Sequence, residues 1–556
     1  MYLSSHLVFV YLLSVIALIA GLAVMARRVS AAAEGPRASS SGSNQTRFFG
    51  SQLGGQAIIN YSYTDLPHRL MAFDVYYFFK FLWALPYIVL PLTPTDSGEL
   101  SELAFTRKNW FCIAIHFVLC ILQVLFIVAL PLLTLIPVWT AVVAICLFLL
   151  LNRLLAGLLN GKTVEYHSDP EFAPALPEHS HEQWIFINGV AAGEHWMKSN
   201  LNRLALTFKR PILGVHNKTN GILFDVIECL IQRNLSYATT DVRVAYAIIK
   251  EKLYNPQYSK VVFILHSQGG IEGSLVIDWL LQELPQNLLA KLEVYTFGNA
   301  SNHFNNPHRH IHSQTTALSN PLAGSTDSTN YAAVSDEAPT PRQGDQAPPS
   351  AAPKDTFKLS RRISSIPALT SETSSISPSA ISGRVIGHIE HYAHTSDFVA
   401  LWGVLHFATS APGTHILPRY IGRLFARTST RGGHQFIQHY LDGMFPLARD
   451  PVTGKLTGCL EEGNEFMESE VVVGVAGDEQ RHAREVVDAT EVEVHSVSPV
   501  LQKGRMRSRL EGEGGAAVVK VKQLSRLWEY RNGRSPEEKP PLLAVDEDGI
   551  LRSATL

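Results

Sequence analysis

Apolar positions fall into two regimes along the chain. Up to about residue 156 they form long uncharged runs, and from about Glu182 they form short β-branched clusters separated by helix-length stretches. Leu7 to Met25 is one such run, about 19 residues long, which matches a helix crossing a bilayer core. It ends at Arg27 and Arg28. A basic pair after the apolar core, rather than before it, predicts a retained signal-anchor helix over 1–28 instead of a cleaved signal peptide. Residues 29–72, rich in Ser, Gly and Ala at their start, read as a linker. Residues 73–95 mix Tyr76, Tyr77, Phe78, Phe79, Phe81 and Trp83 with Lys80 and Pro86. That mixture suits the headgroup region of a membrane, or a membrane segment, better than the hydrocarbon centre. Phe111 to Leu151 is apolar over about twice the length of one span and is interrupted by Pro131 and Pro137. It predicts a transmembrane helical hairpin over 110–156.

The second regime predicts a different class. WIFING (184–189), PILGVH (211–216), KVVFILH (260–266), LEVYTFG (292–298), GRVIGHIEHYA (383–393) and YIGRLFAR (420–427) are strand candidates with helical stretches between them. This alternation is the signature of an α/β domain, a mostly parallel sheet wrapped by helices, here over 182–447. Residues 313–382, rich in Ser, Thr, Pro and Ala, interrupt it as an insertion whose composition predicts disorder. The charged stretch 456–556 reads as a C-terminal tail.

Composition sharpens this picture. The 556 residues are 46% hydrophobic and only 17% charged, and the mean hydropathy is +0.07, which disfavours an ordinary soluble chain. Lys+Arg 47 against Asp+Glu 49 gives a net charge of −2, without the basic excess that nucleic-acid binding uses. Of five cysteines, Cys112, Cys120 and Cys146 lie in apolar runs, so neither a disulfide framework nor a Cys-x-x-Cys metal site is built. Arg27, Arg28, Arg107, Lys108, Arg153 and Lys162 flank the apolar runs. They predict a multi-pass membrane protein whose globular domain faces the cytosol, with the sequons at Asn44, Asn60, Asn217 and Asn234 unglycosylated.

The chemistry is carried by VVFILHSQGGIEGSL. A strand ends at His266, Ser267 follows, and a helix begins at once, the arrangement that exposes a serine oxygen at the carboxyl edge of a sheet. Gly269 supplies the small residue that the tight turn needs beside the neighbouring strand. Leu265 stands where a strict G-x-S-x-G motif has glycine, so the match is to H-S-x-G-G. On these residues, and on VYTFGNA (294–300) following them, the chain resembles the α/β-hydrolase superfamily, and within it the class 3 lipases. The resemblance covers about 184–447 without the insertion. It implies a serine, acid, histidine order in the chain. Asp397, after the fifth strand candidate, is then the acid. His434, on the loop before HQFIQHYLDGMF, is the favoured base, with His439 as the alternative. The backbone N–H of Gln268 and that of Gly189 or Val190 would form the oxyanion hole, although Asn188 replaces the histidine that related hydrolases carry there.

The expected activity is hydrolysis of acyl esters, with a lipid substrate inferred from membrane location and no cofactor. An acyltransferase or thioesterase on the same triad, or an inactive hydrolase-fold scaffold, are the alternatives. His308, His310 and His312, and His388, His391 and His394 with Asp397, do not converge on one ion in an extended chain, so no metal is expected. Arg361-Arg362-Ile363-Ser364 is a pattern that basophilic kinases read, with Ser364 as acceptor.

Overall fold

The computed structural model describes residues 45–49, 66–91, 96–307, 384–409, 420–473 and 517–536, with the strand pairs 544–545 and 551–552. The anchor 1–28, Asn44, Asn60, the His308–His312 set, the insertion 313–382 and Ser364 lie outside the described residues.

The runs of Val, Ile and Phe form strands because both faces of a central parallel sheet are buried, and no polar alternation is needed there. The sheet contains β1 (Gln45–Phe49), β2 (Glu165–His167), β3 (Glu182–Ile187), β4 (Ile212–Val215), β5 (Lys260–His266), β6 (Leu292–Phe297), β7 (His388–His394) and β8 (Arg423–Thr428). Their spatial order is β1-β8-β7-β6-β5-β3-β4-β2. The strands from β8 to β4 are mutually parallel, and β1 and β2 close the edges antiparallel. Each of the six strand candidates becomes one of the parallel strands. The two edge strands are additional: β1 lies within the stretch read as a linker, and β2 is three residues long.

Side chains alternate across the sheet as the pleat requires. Ile185 and Ile187 join one buried cluster with Phe263, Val294 and Ile389, while Trp184 and Phe186 join the opposite one with Ile264, Phe297 and Tyr392. The helices are α1 (Pro67–Lys80), α2 (Arg107–Ala129), α3 (Val138–Gly157), α4 (Glu194–Phe208), α5 (Ile222–Leu235), α6 (Thr240–Tyr254), α7 (Gln268–Glu283) and the short α8 (Phe398–Trp402). Of these, α2 and α3 are long and apolar enough to cross a membrane. The aromatic segment that follows α1 is a 3-10 helix, Leu82–Ile88. Its Ala84 packs with Phe398 and Trp402.

The domain also takes in residues assigned by sequence to the tail. Phe466, Met467, Leu524, Leu527, Trp528 and Tyr530 are buried with Trp184 and Phe208. Arg526 reaches Glu293 on β6 at 2.9 Å, and the Tyr295 and Tyr530 hydroxyls donate to the same carboxylate at 2.8 Å. Arg210 pairs with Glu182 at 2.6 Å and donates to the carbonyl oxygen of Arg534 at 2.8 Å. One cation of the tail, Arg526, thus neutralises a carboxylate buried in the sheet. The two central sequons, Asn217 and Asn234, are both buried.

Burial alone would raise the pKa of Glu293, but the charges of Arg526 and Lys260 and the Arg526 hydrogen bonds outweigh it and hold the carboxyl well below its ordinary value. Arg526→Met leaves that carboxylate buried without its main counter-charge and is expected to lower unfolding stability at pH 7 by about 3–5 kcal/mol. A group with a depressed folded pKa contributes fully above its unfolded value and loses that contribution as it protonates. The deficit measured by urea denaturation in detergent should therefore shrink as the pH falls through the folded-state pKa of Glu293 in the variant, which loss of Arg526 raises. A deficit independent of pH would show that lost packing, not charge, is responsible.

Candidate active site

The carboxyl ends of the parallel strands lie along one edge of the sheet, so the loops after β3, β5, β7 and β8 meet there. Register sets the closest approach. Ile187 of β3 pairs with Leu265 of β5, which brings Gly189 level with Ser267 two residues further on. A Cβ at Gly189 would lie 2.5 Å from the Ser267 Cβ, and one at Gly269 would lie 2.7 Å from the carbonyl oxygen of Ile187. Glycine is required at both positions by contact. Between them Ser267 adopts φ 56° and ψ −119°, a left-handed backbone that a side-chain-bearing residue occupies only when its surroundings enforce it. Its N–H donates to Phe297 O at 3.0 Å, and its carbonyl accepts from Ala300 N at 3.1 Å, so β6 fixes the turn from the other side.

Three of the residues singled out from sequence come together. The Ser267 Oγ lies 2.9 Å from His434 Nε2, and His434 Nδ1 lies 2.9 Å from Asp397 Oδ2. Asp397 follows β7, and its Oδ1 accepts from the backbone N–H groups of Val399 and Ala400 at 2.8 and 3.2 Å. It is therefore the N-cap of α8 and the partner of His434 at once, one role for each oxygen. The Tyr440 hydroxyl also donates to Oδ2, at 2.6 Å. Burial tends to raise the Asp397 pKa. The His434 charge, the His434 and Tyr440 hydrogen bonds and the Ala400 N–H overcome it, leaving the carboxyl below its ordinary value and ionised. All three residues are nearly inaccessible, Ser267 being 2% exposed, His434 5% and Asp397 0%.

His439 is elsewhere. Its Nδ1 accepts from Gln435 N at 2.9 Å within the π-helical turn Phe436–Leu441, and its backbone oxygen takes His394 Nε2 at 3.1 Å. The geometry separates the two histidines in favour of His434. Gln268 opens α7, so its N–H has no acceptor within the helix and points with the positive end of the helix dipole toward the serine. The half-buried Val190 follows Gly189 on the facing loop.

Asn188 holds the facing loop in place. Its Nδ2 donates to Gly189 O at 2.9 Å and to Asn217 O at 2.8 Å, and its Oδ1 accepts from Asn217 N at 2.9 Å. It ties the Gly189 loop to the end of β4. His266 was not singled out from sequence. Its ring stacks on that of His434 with centroids 4.8 Å apart, and its Nε2 bonds His434 O at 2.9 Å. Only its place beside Ser267 could have flagged it. Among the histidines considered as metal ligands, His388 pairs with Glu390, His391 bonds Thr296 and His394 bonds the His439 backbone, so each ring is used within the fold. No family model, curated protein or solved structure matches the chain.

Burial lowers the pKa of His266 to about 3, with the nearby His434 adding to the effect. Burial likewise lowers His216, His391, His394 and His439 to about 4. These rings stay neutral in the fold but take up protons below about pH 6.5 once unfolded. Their contribution to stability is complete above that value and declines as the pH falls toward 4. The thermal midpoint should fall steadily between pH 6.5 and 4.5, and ring nitrogen shifts should report a neutral His266 at pH 5. A charged His266 at that pH would contradict this assignment.

Proposed function

We propose that the protein is a membrane-associated serine hydrolase that cleaves acyl esters, with membrane lipids as its substrates and an α/β-hydrolase architecture. The observation that carries this reading is the positive-φ Ser267 at a strand-to-helix turn, hydrogen-bonded in series to His434 and Asp397. Strain of this kind persists only where the surroundings over-determine it, and it concentrates at reactive sites. The order serine, acid, histidine supports the same reading.

In this mechanism His434 Nε2 takes the proton of Ser267 as Oγ attacks the acyl carbon. Negative charge develops on the carbonyl oxygen and is met by the N–H of Gln268, reinforced by the α7 dipole, and by a donor from Gly189 or Val190. Asp397 stabilises the imidazolium and fixes its tautomer. The imidazolium returns its proton to the leaving alcoholate, the alcohol departs, and a water activated by the same histidine releases the carboxylic acid and regenerates Ser267. Transfer to an acceptor other than water would follow the same steps with that acceptor in the last one. Lipids as the substrate class follow from the large exposed apolar surface of α2 and α3, not from the triad.

Fluorophosphonate labelling of the detergent-solubilised full chain tests the reading. Ser267→Ala should abolish labelling and ester turnover while leaving the thermal midpoint close to that of the wild type. His434→Ala and Asp397→Asn should lower kcat by about 10³–10⁴-fold, whereas His439→Ala should retain activity within about tenfold. Turnover that survives Ser267→Ala would remove the hydrolase reading, and a folded wild type that neither labels nor turns over esters would leave an inactive scaffold as the better account.

A further inference from the structure

Helix α2 carries polar residues that an isolated membrane span would not tolerate. Its buried positions are Asn109, Cys112, His116, Leu119 and Gln123, spaced as one stripe along about 21 Å of helix at 1.5 Å per residue. Every polar member of the stripe is matched by the globular domain. Asn109 donates to Ser101 O and Ala104 O, both at 2.9 Å, and accepts from Trp196 Nε1 at 3.0 Å. His116 Nε2 bonds Ala191 O at 2.8 Å, on the loop that carries Gly189 and Val190. Gln123 donates to Asn152 of α3 at 2.9 Å and to Asn220 O at 2.7 Å, and accepts from Leu223 N, in the first turn of α5, at 3.2 Å. Asn152 donates to the same Asn220 carbonyl at 2.9 Å. Most of α2 is therefore laid along the domain.

The surroundings of the Asn220 turn fix the depth of that contact. Asn220 is exposed, and Lys218, Glu228 and Asp241 nearby are each partly exposed. A charge at hydrocarbon depth is strongly disfavoured, so the Gln123–Asn152–Asn220 level lies outside the bilayer core. Beyond it, α2 continues only to Ala129, six residues further, and α3 begins at Val138, fourteen residues before Asn152. At 1.5 Å per residue these arms reach about 9 and 21 Å, which suffices for one leaflet but not for a core of about 30 Å. The projecting tip is apolar and uncovered: Leu132 is 60% exposed, Leu135 80% and Trp139 71%.

The flank of the same region points the same way. Helix α1 is fastened to α5 through Asp74, which pairs with Arg233 and accepts from Asn234, while α2 reaches α5 from the hairpin side, Phe126 meeting Phe224. Phe79, Leu82, Trp83 and Leu90 on one side and Ile222 and Ile227 of α5 are exposed. They extend the apolar surface of the hairpin, and patches of this kind mark interaction sites. The exposed Lys80 and Arg153 at its margin match anionic headgroups.

We propose that the apolar tip between Gln123 of α2 and Asn152 of α3 is a cap embedded in one leaflet, entering and leaving from the domain's side without crossing the bilayer, and that the α1–α5 face rests on the same lipid surface. This differs from the pair of spans expected from length and hydropathy alone, and it does not depend on the hydrolase reading. Because His116 grips the carbonyl of Ala191, the loop facing Ser267 is attached directly to the helix that enters this cap.

Leu135→Cys in the full-length chain tests the proposal in sealed vesicles of phosphatidylcholine and phosphatidylserine. A membrane-impermeant maleimide, added outside or trapped in the lumen, should label Cys at 135 no more than the wild-type background from either face, and detergent should expose it. A bimane attached there in detergent before reconstitution, in a chain that also carries Cys146→Ser because Cys146 is exposed, should be quenched several-fold more by lipids brominated along the acyl chain than by headgroup-labelled lipids. Labelling from the face opposite the protease-accessible domain would establish two spans. Labelling from the domain's own face, without acyl-chain quenching, would show that the tip does not enter lipid. Either result overturns the proposal, and fluorophosphonate labelling of Ser267 in the same sample judges the catalytic reading separately.

Discussion

The near-contact between the backbone at Gly189 and the side chain of Ser267 is the constraint on which the site depends. It exists because β3 and β5 are adjacent parallel strands in a fixed register, so their carboxyl ends emerge side by side. A residue with a Cβ at 189 would push the serine away, and a larger residue at 269 would push α7 away from β3. With both positions glycine, the serine is pinned between β3 and β6 in a backbone conformation it would not choose alone. The strain is offset by burial of the surrounding strands, and everything downstream, from His434 to the cap on α8, is placed relative to that fixed oxygen.

Much of this was legible in the chain. A parallel strand buried on both faces reads as an uninterrupted apolar run, and KVVFILH coincides with β5 residue for residue. Ser267, Asp397 and His434 were each flagged by the same logic, as polar residues immediately after such a strand or its loop. What stayed hidden depended on distant partners. β1 has no apolar alternation to announce it and exists because β8 offers an unpaired edge. Residues 517–536 look solvated until buried Glu293 is seen to take Arg526 as its counter-ion and buried Glu390 to accept from the Arg526 and Leu527 N–H groups. The choice between His434 and His439 could not come from spacing, because the π-helical turn re-aims successive side chains.

The polar stripe on α2 shows the same limit from the other direction. Hydropathy averages over a helix and reports a span, while three buried polar side chains on one face report what that face touches. Asn109, His116 and Gln123 are each expensive in lipid, and each makes a hydrogen bond to the domain. Two faces of one helix thus differ: one hydrogen-bonds to the domain, and the other presents exposed Phe111, Phe117, Ile121 and Leu125.

The latch formed by Arg526 and Tyr530 on Glu293 also has a temporal meaning. Domains fold as units while the chain is still being made, from the N-terminus onward. Here β6 and its buried carboxylate are synthesised more than two hundred residues before the arginine that neutralises them. Before that arginine is made, Glu293 lacks its main counter-charge and has Lys260 as the cation beside it. The apolar helices α2 and α3 are made earlier still. The order of synthesis therefore puts closure of this ion pair after all eight strands of the main sheet have been made.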